Sequence, residues 1–197
     1  MKRLAFLIML ALAVPTAHAR ETVVELLVFR QAPGQATAAV WTPGPGVLPP
    51  CDAVRLRADG GAEAAFSPGD RTCTARPGRI VLAGGLNALE APALATEAGK
   101  LQKAGHALLA RKGWRQAQAN GAPILLAGQA AELKLSGFLA LEEAGGMTTA
   151  SLDLVLARGG DAPAHAHLVD ERVVRPGELH YFDHPLFGVL LRLQPAN

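Results

Sequence analysis

The residue types best able to do chemistry are concentrated in one segment near the end of the printed sequence. Between positions 175 and 184 the chain places an arginine, a glutamate, two histidines, an aspartate and its only tyrosine. These residues are Arg175, Glu178, His180, Tyr181, Asp183 and His184. Such a mixture can stack on and hydrogen-bond a sugar or a peptide. The same side chains could instead form an internal polar network that locks the last strand onto a sheet.

A metal site is the second chemistry that these residues suggest. His165 and His167 alternate, so both rings can lie on one face of a strand, and His180, Asp183 and His184 add three possible ligands. Alternatively, the first two histidines lie in a surface turn and the others make ordinary hydrogen bonds. Tight zinc sites need three or four ligands with supporting hydrogen bonds, which this spacing does not guarantee. We therefore predict no metal and no cofactor.

Recognisable enzyme motifs are missing from the sequence. It contains no Gly-x-Ser-x-Gly, no His-Glu-x-x-His, no phosphate-binding loop and no dinucleotide fingerprint. A thiol nucleophile would have to be one of only two cysteines. We predict that the protein is not an enzyme. A metal-dependent periplasmic enzyme that uses the histidine cluster is the alternative from a different functional class.

The first residues have the order of a cleavable signal peptide. Lys2 and Arg3 precede an apolar run of 11 residues from Leu4 to Val14, and Ala17-His18-Ala19 follows. This order matches a signal peptidase substrate, so we predict a signal peptide over 1–19 and a mature chain that begins at Arg20. A membrane-spanning helix needs about 20 residues, so a retained short anchor is the less favoured interpretation. We expect a soluble protein that works outside the cytoplasm and has no membrane span.

Charge and length limit the remaining possibilities. Without Lys2 and Arg3, the 19 basic residues of the chain fall to 17, equal to its 17 acidic residues. A neutral chain has no general electrostatic reason to bind nucleic acid or an anionic membrane. Residues 20–197 suffice for a single domain.

The two cysteines, Cys51 and Cys73, are predicted to form a disulfide. In an exported chain, a lone pair of cysteines is most simply a disulfide, and neither has another thiol or a histidine at metal-ligand spacing. Two free thiols are the alternative.

Hydrophobic patterns predict the order of the secondary structure. Residues 23–29 form a buried strand, and prolines and glycines over 31–78 indicate a loop-rich insertion. Apolar spacing predicts a helix between Pro92 and Ala104, followed by a strand over 106–114.

The C-terminal half alternates more clearly. Leucines at every second position over 133–141 and 152–156, with Gly145-Gly146 between them, predict an antiparallel hairpin. Strands over 169–173 and 188–193 follow. We therefore predict an α+β domain with a mainly antiparallel sheet covered on one face by helix, with a ferredoxin-like arrangement as the first choice.

The segment from Gly177 to Leu190, Gly-Glu-Leu-His-Tyr-Phe-Asp-His-Pro-Leu-Phe-Gly-Val-Leu, resembles the C-terminal signature of the CsiV family of periplasmic peptidoglycan-binding proteins. Weaker similarity covers residues 24–30, which look like the first strand of that family. It also covers the stretch from Leu101 to Gln116 and the strands around Ser136 and Asp153.

The resemblance implies a non-enzymatic periplasmic protein that binds peptidoglycan and supports cell-wall synthesis, by assisting a penicillin-binding protein or its activator. An envelope factor that binds only other proteins is a further alternative. For the binding site, we predict direct contacts by Arg175, Tyr181 and His184, with Asp183 orienting a neighbour. Trp114 and Arg115 would join them if their strand lies adjacent.

Overall fold

The computed structural model describes residues 21–32, 41–44, 48–76, 85–90, 93–117, 121–159 and 163–196. The predicted signal peptide lies outside these ranges. Among the described residues, none of the helices is long and apolar enough to cross a membrane.

The described chain folds into two β-sheets. The first sheet contains, in spatial order, β11 (Leu179–His184), β12 (Phe187–Pro195), β1 (Thr22–Arg30), β6 (Ala107–Gln116) and β5 (Leu86–Ala88). The second contains β2 (Thr42–Pro43), β10 (Ala164–Val174), β9 (Met147–Arg158), β8 (Leu133–Ala144), β7 (Ile124–Ala130), β3 (Val54–Leu56) and β4 (Ala62–Ala64). Neighbouring strands are antiparallel except β3 and β7, which run parallel.

The core lies between the facing sides of the two sheets. Strands bury every second residue there, because successive side chains of a strand point to opposite faces. In β9, Leu152, Leu154 and Leu156 are almost completely buried, and Trp114 of β6 and Phe182 of β11 face them from the first sheet.

The predicted α+β class, with its ferredoxin-like arrangement, was wrong. The described residues contain one helix, α1 (Ala95–Lys103), and the leucine face of the β8–β9 hairpin is covered by the first sheet. Helix α1 packs on the outer side of that first sheet, where Leu94 and Ala98 meet Leu27. Alternation shows that one face of a strand is buried, but it does not show whether a helix or a sheet covers it.

Several element predictions are confirmed. The alternating leucines form the hairpin β8–β9, in which Leu135 lies opposite Leu156, and both turn glycines, Gly145 and Gly146, have positive φ. The predicted helix corresponds to α1, and the strand predicted over 106–114 corresponds to β6. Within the predicted insertion over 31–78, the described residues add three short strands, β2, β3 and β4, to the second sheet.

The predicted disulfide between Cys51 and Cys73 is also confirmed. It joins the two ends of the segment that carries β3 and β4. Beside it, the buried Asp52 carboxylate accepts a hydrogen bond of 2.7 Å from Nε of Arg76. The disulfide and this ion pair hold together a part of the chain that has little other regular structure.

The two sheets approach most closely where β6 faces β7. Gly128 of β7 lies against the main chain of Leu109 in β6: a Cβ atom added to this glycine would be 1.9 Å from the Leu109 carbonyl oxygen. Only a residue without a side chain allows the backbones to come this near.

Candidate functional site

Strand β11 carries four of the eight residues predicted for the site, and it is an edge strand of the first sheet. Its alternation divides those residues between two faces. Phe182 is fully buried in the core, whereas Leu179 and Tyr181 are 46% and 43% exposed on the opposite, outer face. Asp183 shares the outer face with them, because residues two apart in a strand point the same way.

Tyr181, Asp183 and Gln31 form a hydrogen-bond network on that outer face. The Tyr181 hydroxyl donates to Oδ1 of Asp183 at 2.6 Å and accepts a hydrogen bond from Nε2 of Gln31 at 3.0 Å. The Gln31 amide also donates to Oδ1 of Asp183 at 3.3 Å. The network fixes the phenol and the carboxylate relative to each other.

An aromatic row supports Tyr181 from the side. The Tyr181 ring stacks on Phe29 of β1, with 6.3 Å between centroids and 14° between planes, and the His106 ring meets Phe29 edge-on at 5.2 Å. Gly188 of β12 lies beneath both stacked rings: an added Cβ would be 2.6 Å from Phe29 and 2.7 Å from Tyr181. A glycine is therefore required for the rings to lie over β12.

The proton of the Tyr181 phenol is firmly held. Burial, and then the hydrogen bond to Asp183, raises the pKa of Tyr181 above its ordinary value. The phenol therefore stays protonated at neutral pH and donates to the carboxylate. The outer face of β11 consequently presents one negative charge and no phenolate.

Arg175 and Glu178 belong to the turn between β10 and β11, and His180 is the second residue of β11, at the opposite end of the strand from Asp183. The backbone N–H of Arg175 donates to Nε2 of His180 at 3.0 Å, so His180 braces the turn. The Arg175 guanidinium is 77% exposed and lies 3.7 Å from Glu178.

Arg175 also lines a cleft of about 490 Å³ between the ends of the two sheets. The cleft is further lined by Glu21, Thr22, Glu143, Gly146, Met147, Thr148, Val173, Val174, Pro176 and Pro195. Arg115 contacts this cleft indirectly, through an ion pair of 3.6 Å with Glu21.

Trp114 lies in the core and not at the surface. It is fully buried, and its indole N–H donates to Oε1 of Gln116 at 2.8 Å. Trp114 and Arg115 are neighbours in β6 but point to opposite faces, so only Arg115 can face a ligand. The structure thus brings Tyr181 and Asp183 together, separates them from Arg175 and Arg115, and leaves Trp114 inside.

His184 ends β11 in a half-buried position. Its Nδ1 accepts a hydrogen bond of 3.2 Å from the backbone N–H of Leu186, and its ring lies 4.9 Å from Phe187. Burial lowers the pKa of His184; a smaller effect of Asp183 raises it, and His167 lowers it further. The folded protein therefore favours the neutral imidazole.

We expect the stability to fall as the pH falls, in part because of His184. Its folded pKa lies below its unfolded value, so the stability it contributes is complete above the unfolded pKa of about 6.5 and is lost as the pH falls through the folded pKa. Urea unfolding at pH 7.5 and 5.0 checks this, with His184→Asn as the matched variant, because an amide oxygen can still accept from Leu186. An equal loss of stability in both proteins would contradict the assignment.

Two residues of the candidate site were missed by sequence reasoning. Gln31 follows β1, 150 positions before Tyr181, and no local pattern connects them. Arg172 of β10 donates to the backbone carbonyl oxygen of Tyr181 at 3.2 Å, pairs with Asp170, and lies 4.4 Å over the Phe182 ring. It therefore caps the free edge of β11. For Arg172, the only available signal in the sequence was that it and Arg175 lie close together just before the cluster.

The histidines do not converge on one point. His165 and His167 lie in β10 and not in a surface turn; Nδ1 of His165 is 3.2 Å from the Gly44 carbonyl oxygen, and Nε2 of His167 is 2.7 Å from Asp153. Over the ranges that the structure describes, no group of three or more histidine, cysteine, aspartate or glutamate side chains could hold a metal ion.

Part of the chain matches the model of a known family. Residues 127–196 match the family model of the peptidoglycan-binding protein CsiV. The resemblance seen in the C-terminal signature is therefore confirmed. No curated protein and no solved structure matches the chain significantly.

The region that matches CsiV extends from within β7 to the end of β12. It contains the Tyr181–Asp183 pair and Arg175 of the cleft. Residues 24–30 and 101–116, for which the sequence analysis proposed a weaker resemblance, lie outside this region. The segment that contains β11 is therefore similar to a family of peptidoglycan-binding proteins.

Proposed function

We propose that this protein is a periplasmic, non-enzymatic accessory factor that binds peptidoglycan and supports cell-wall synthesis by assisting a penicillin-binding protein or its activator. The observation that carries the proposal is the coincidence of two features. The part of the chain that matches the CsiV family contains an edge strand whose outer face exposes Tyr181 beside the Asp183 carboxylate.

The binding surface that we propose is the outer face of β11, defined here as Leu179, Tyr181 and Asp183 together with Gln31. An exposed aromatic face and oriented polar groups are the usual means of holding a sugar or peptide. Arg175 and Arg115, on the cleft side, are proposed as secondary contacts through their guanidinium groups. We assign His184 to bracing, since its Nδ1 is already hydrogen-bonded.

Retention on insoluble, protein-free sacculi tests the binding. We expect the purified mature protein to sediment with sacculi and Tyr181→Ala to bind at least tenfold more weakly, which corresponds to about 1.4 kcal/mol. Val169→Ala is the matched control, because Val169 is 66% exposed on β10 in the other sheet. Its retention and melting temperature should equal those of the parent.

Two outcomes would contradict different parts of the proposal. Tyr181→Ala that remains folded and is retained as well as the parent would remove β11 from the binding surface. Failure of the parent protein itself to sediment would contradict peptidoglycan binding.

The proposed assistance to a penicillin-binding protein rests on the resemblance to the CsiV family and needs its own experiment. We expect the protein to raise the rate of glycan polymerisation or cross-linking by a penicillin-binding protein assayed with its activator. A Tyr181→Ala variant in the same assay separates help that requires wall binding from help that does not. An unchanged rate with the parent protein would contradict this role.

A further inference from the structure

We propose that the outer face of β11 recognises the glycan strand of peptidoglycan, with its alternating N-acetylated sugars, and not the stem peptides. This inference rests on the proposed function and names the part of the polymer that is bound.

The first argument is the shape of the exposed apolar surface. Leu179 and Tyr181 point the same way from an edge strand, about 6.6 Å apart along it, and both are nearly half exposed. Phe29 stacks against Tyr181 from one side, and the absence of a side chain at Gly188 lets both rings lie close to the sheet. The result is an exposed apolar strip, held in place by the Phe29 ring, that can pack against the C–H face of a sugar ring, since apolar and aromatic surfaces line sites for such ligands.

The second argument is the polarity of the hydrogen-bonding groups. The Tyr181 proton is committed to Oδ1 of Asp183, and the Gln31 amide N–H groups are directed at the same phenol and carboxylate. Oδ2 of Asp183 accepts no hydrogen bond from any residue that the structure describes. The groups left for a ligand are therefore acceptors, which match the hydroxyl and acetamido N–H donors of N-acetylated sugars.

The third argument is charge. Asp183 has neutral partners in Tyr181 and Gln31, and the lowered pKa of its neighbour His184 leaves that imidazole uncharged at neutral pH. The nearby arginines are engaged: Arg172 pairs with Asp170 under the strand edge, and Arg192 pairs with Glu25 and Glu97. Stem peptides carry carboxylates, which the Asp183 charge repels, whereas glycan hydroxyls donate to it.

Competition on sacculi tests the choice between the two moieties. One competitor is soluble glycan strands freed of peptides by an amidase and then methyl-esterified at the lactyl carboxylates that this cleavage exposes; the other is the free stem tetrapeptide at the same concentration of repeat units. We expect the glycan strands to release the protein from sacculi and the tetrapeptide to leave it bound. Release by the tetrapeptide alone would overturn the inference while leaving peptidoglycan binding intact.

Direct titration of variants with the same peptide-free glycan strands tests which residues of β11 bind them. We expect Tyr181→Ala to weaken binding at least tenfold, Tyr181→Phe to weaken it less because the ring face remains, and Asp183→Asn to weaken it severalfold through loss of the charged acceptor. Val169→Ala should bind as the parent does. Glycan affinity unchanged in both Tyr181→Ala and Asp183→Asn, each shown to be folded, would overturn the assignment. If the parent does not bind intact sacculi, the proposed function fails as well.

Discussion

Replacing Gly128 with alanine is expected to lower the free energy of unfolding by about 3 kcal/mol or more. The new Cβ would lie 1.9 Å from the Leu109 carbonyl oxygen and 2.7 Å from its carbonyl carbon, atoms of the facing sheet that cannot rotate away. Overpacking a core by a methyl group costs about 1–3 kcal/mol when side chains can adjust. Here the backbones of β6 and β7 must separate, so we expect the loss of unfolding free energy to lie at or above the upper end of that range.

Urea unfolding of Gly128→Ala and Gly99→Ala measures this effect against a matched control. Gly99 lies in α1, where an added Cβ meets nothing within 4 Å. Alanine there should stabilise the protein by about 0.5–1 kcal/mol, because glycine is a poor helix former. Equal stability of Gly128→Ala and the parent would show that the sheets do not approach as closely as described.

Removing the disulfide between Cys51 and Cys73 is expected to cost about 3 kcal/mol. The bond closes a loop with a sequence separation of 22, and the estimate follows from the chain entropy that such a loop restores to the unfolded state. The ends of the loop keep other contacts, including the hydrogen bond from the Cys51 N–H to the Thr74 carbonyl oxygen at 2.9 Å. The segment with β3 and β4 should therefore loosen without unfolding the rest.

The test compares the oxidised parent, the reduced parent and the double variant Cys51→Ala/Cys73→Ala. Reductant should lower the urea midpoint of the parent and leave the double variant unchanged. Retention on sacculi should stay the same in all three while they are folded, because the disulfide lies outside 127–196 and away from β11. Labelling of both cysteines without reductant, or an unchanged midpoint after reduction, would contradict the prediction.

Local alternation explains why the hairpin β8–β9 was predictable. A strand with one buried face needs an apolar residue at every second position, and leucines supply it in both strands. The pair Gly145-Gly146 provides the positive φ angles that a tight hairpin turn requires. These requirements involve residues close in sequence, so the sequence displays them directly.

Strand β11 shows why the candidate site was only partly predictable. Its mixed residues, Leu179 to His184, gave no clear strand pattern, although alternation does separate Phe182 from Tyr181 and Asp183. Tyr181 and Asp183 were predicted because their types are unusual together. Gln31 and Phe29 were not, since they reach Tyr181 only through the pairing of β1 with β12 and of β12 with β11.

By itself, the sequence determined the strand hairpin, the short helix, the cysteine pair and the segment in which polar and aromatic side chains are concentrated. Each of these depends on spacing or residue type within a short stretch. Only the tertiary structure decided that a second sheet covers the leucine face, that Trp114 is buried, and that Arg175 lies apart from Tyr181. Those outcomes depend on contacts between residues far apart in the chain, and any apolar layer of suitable shape can satisfy the same alternating pattern.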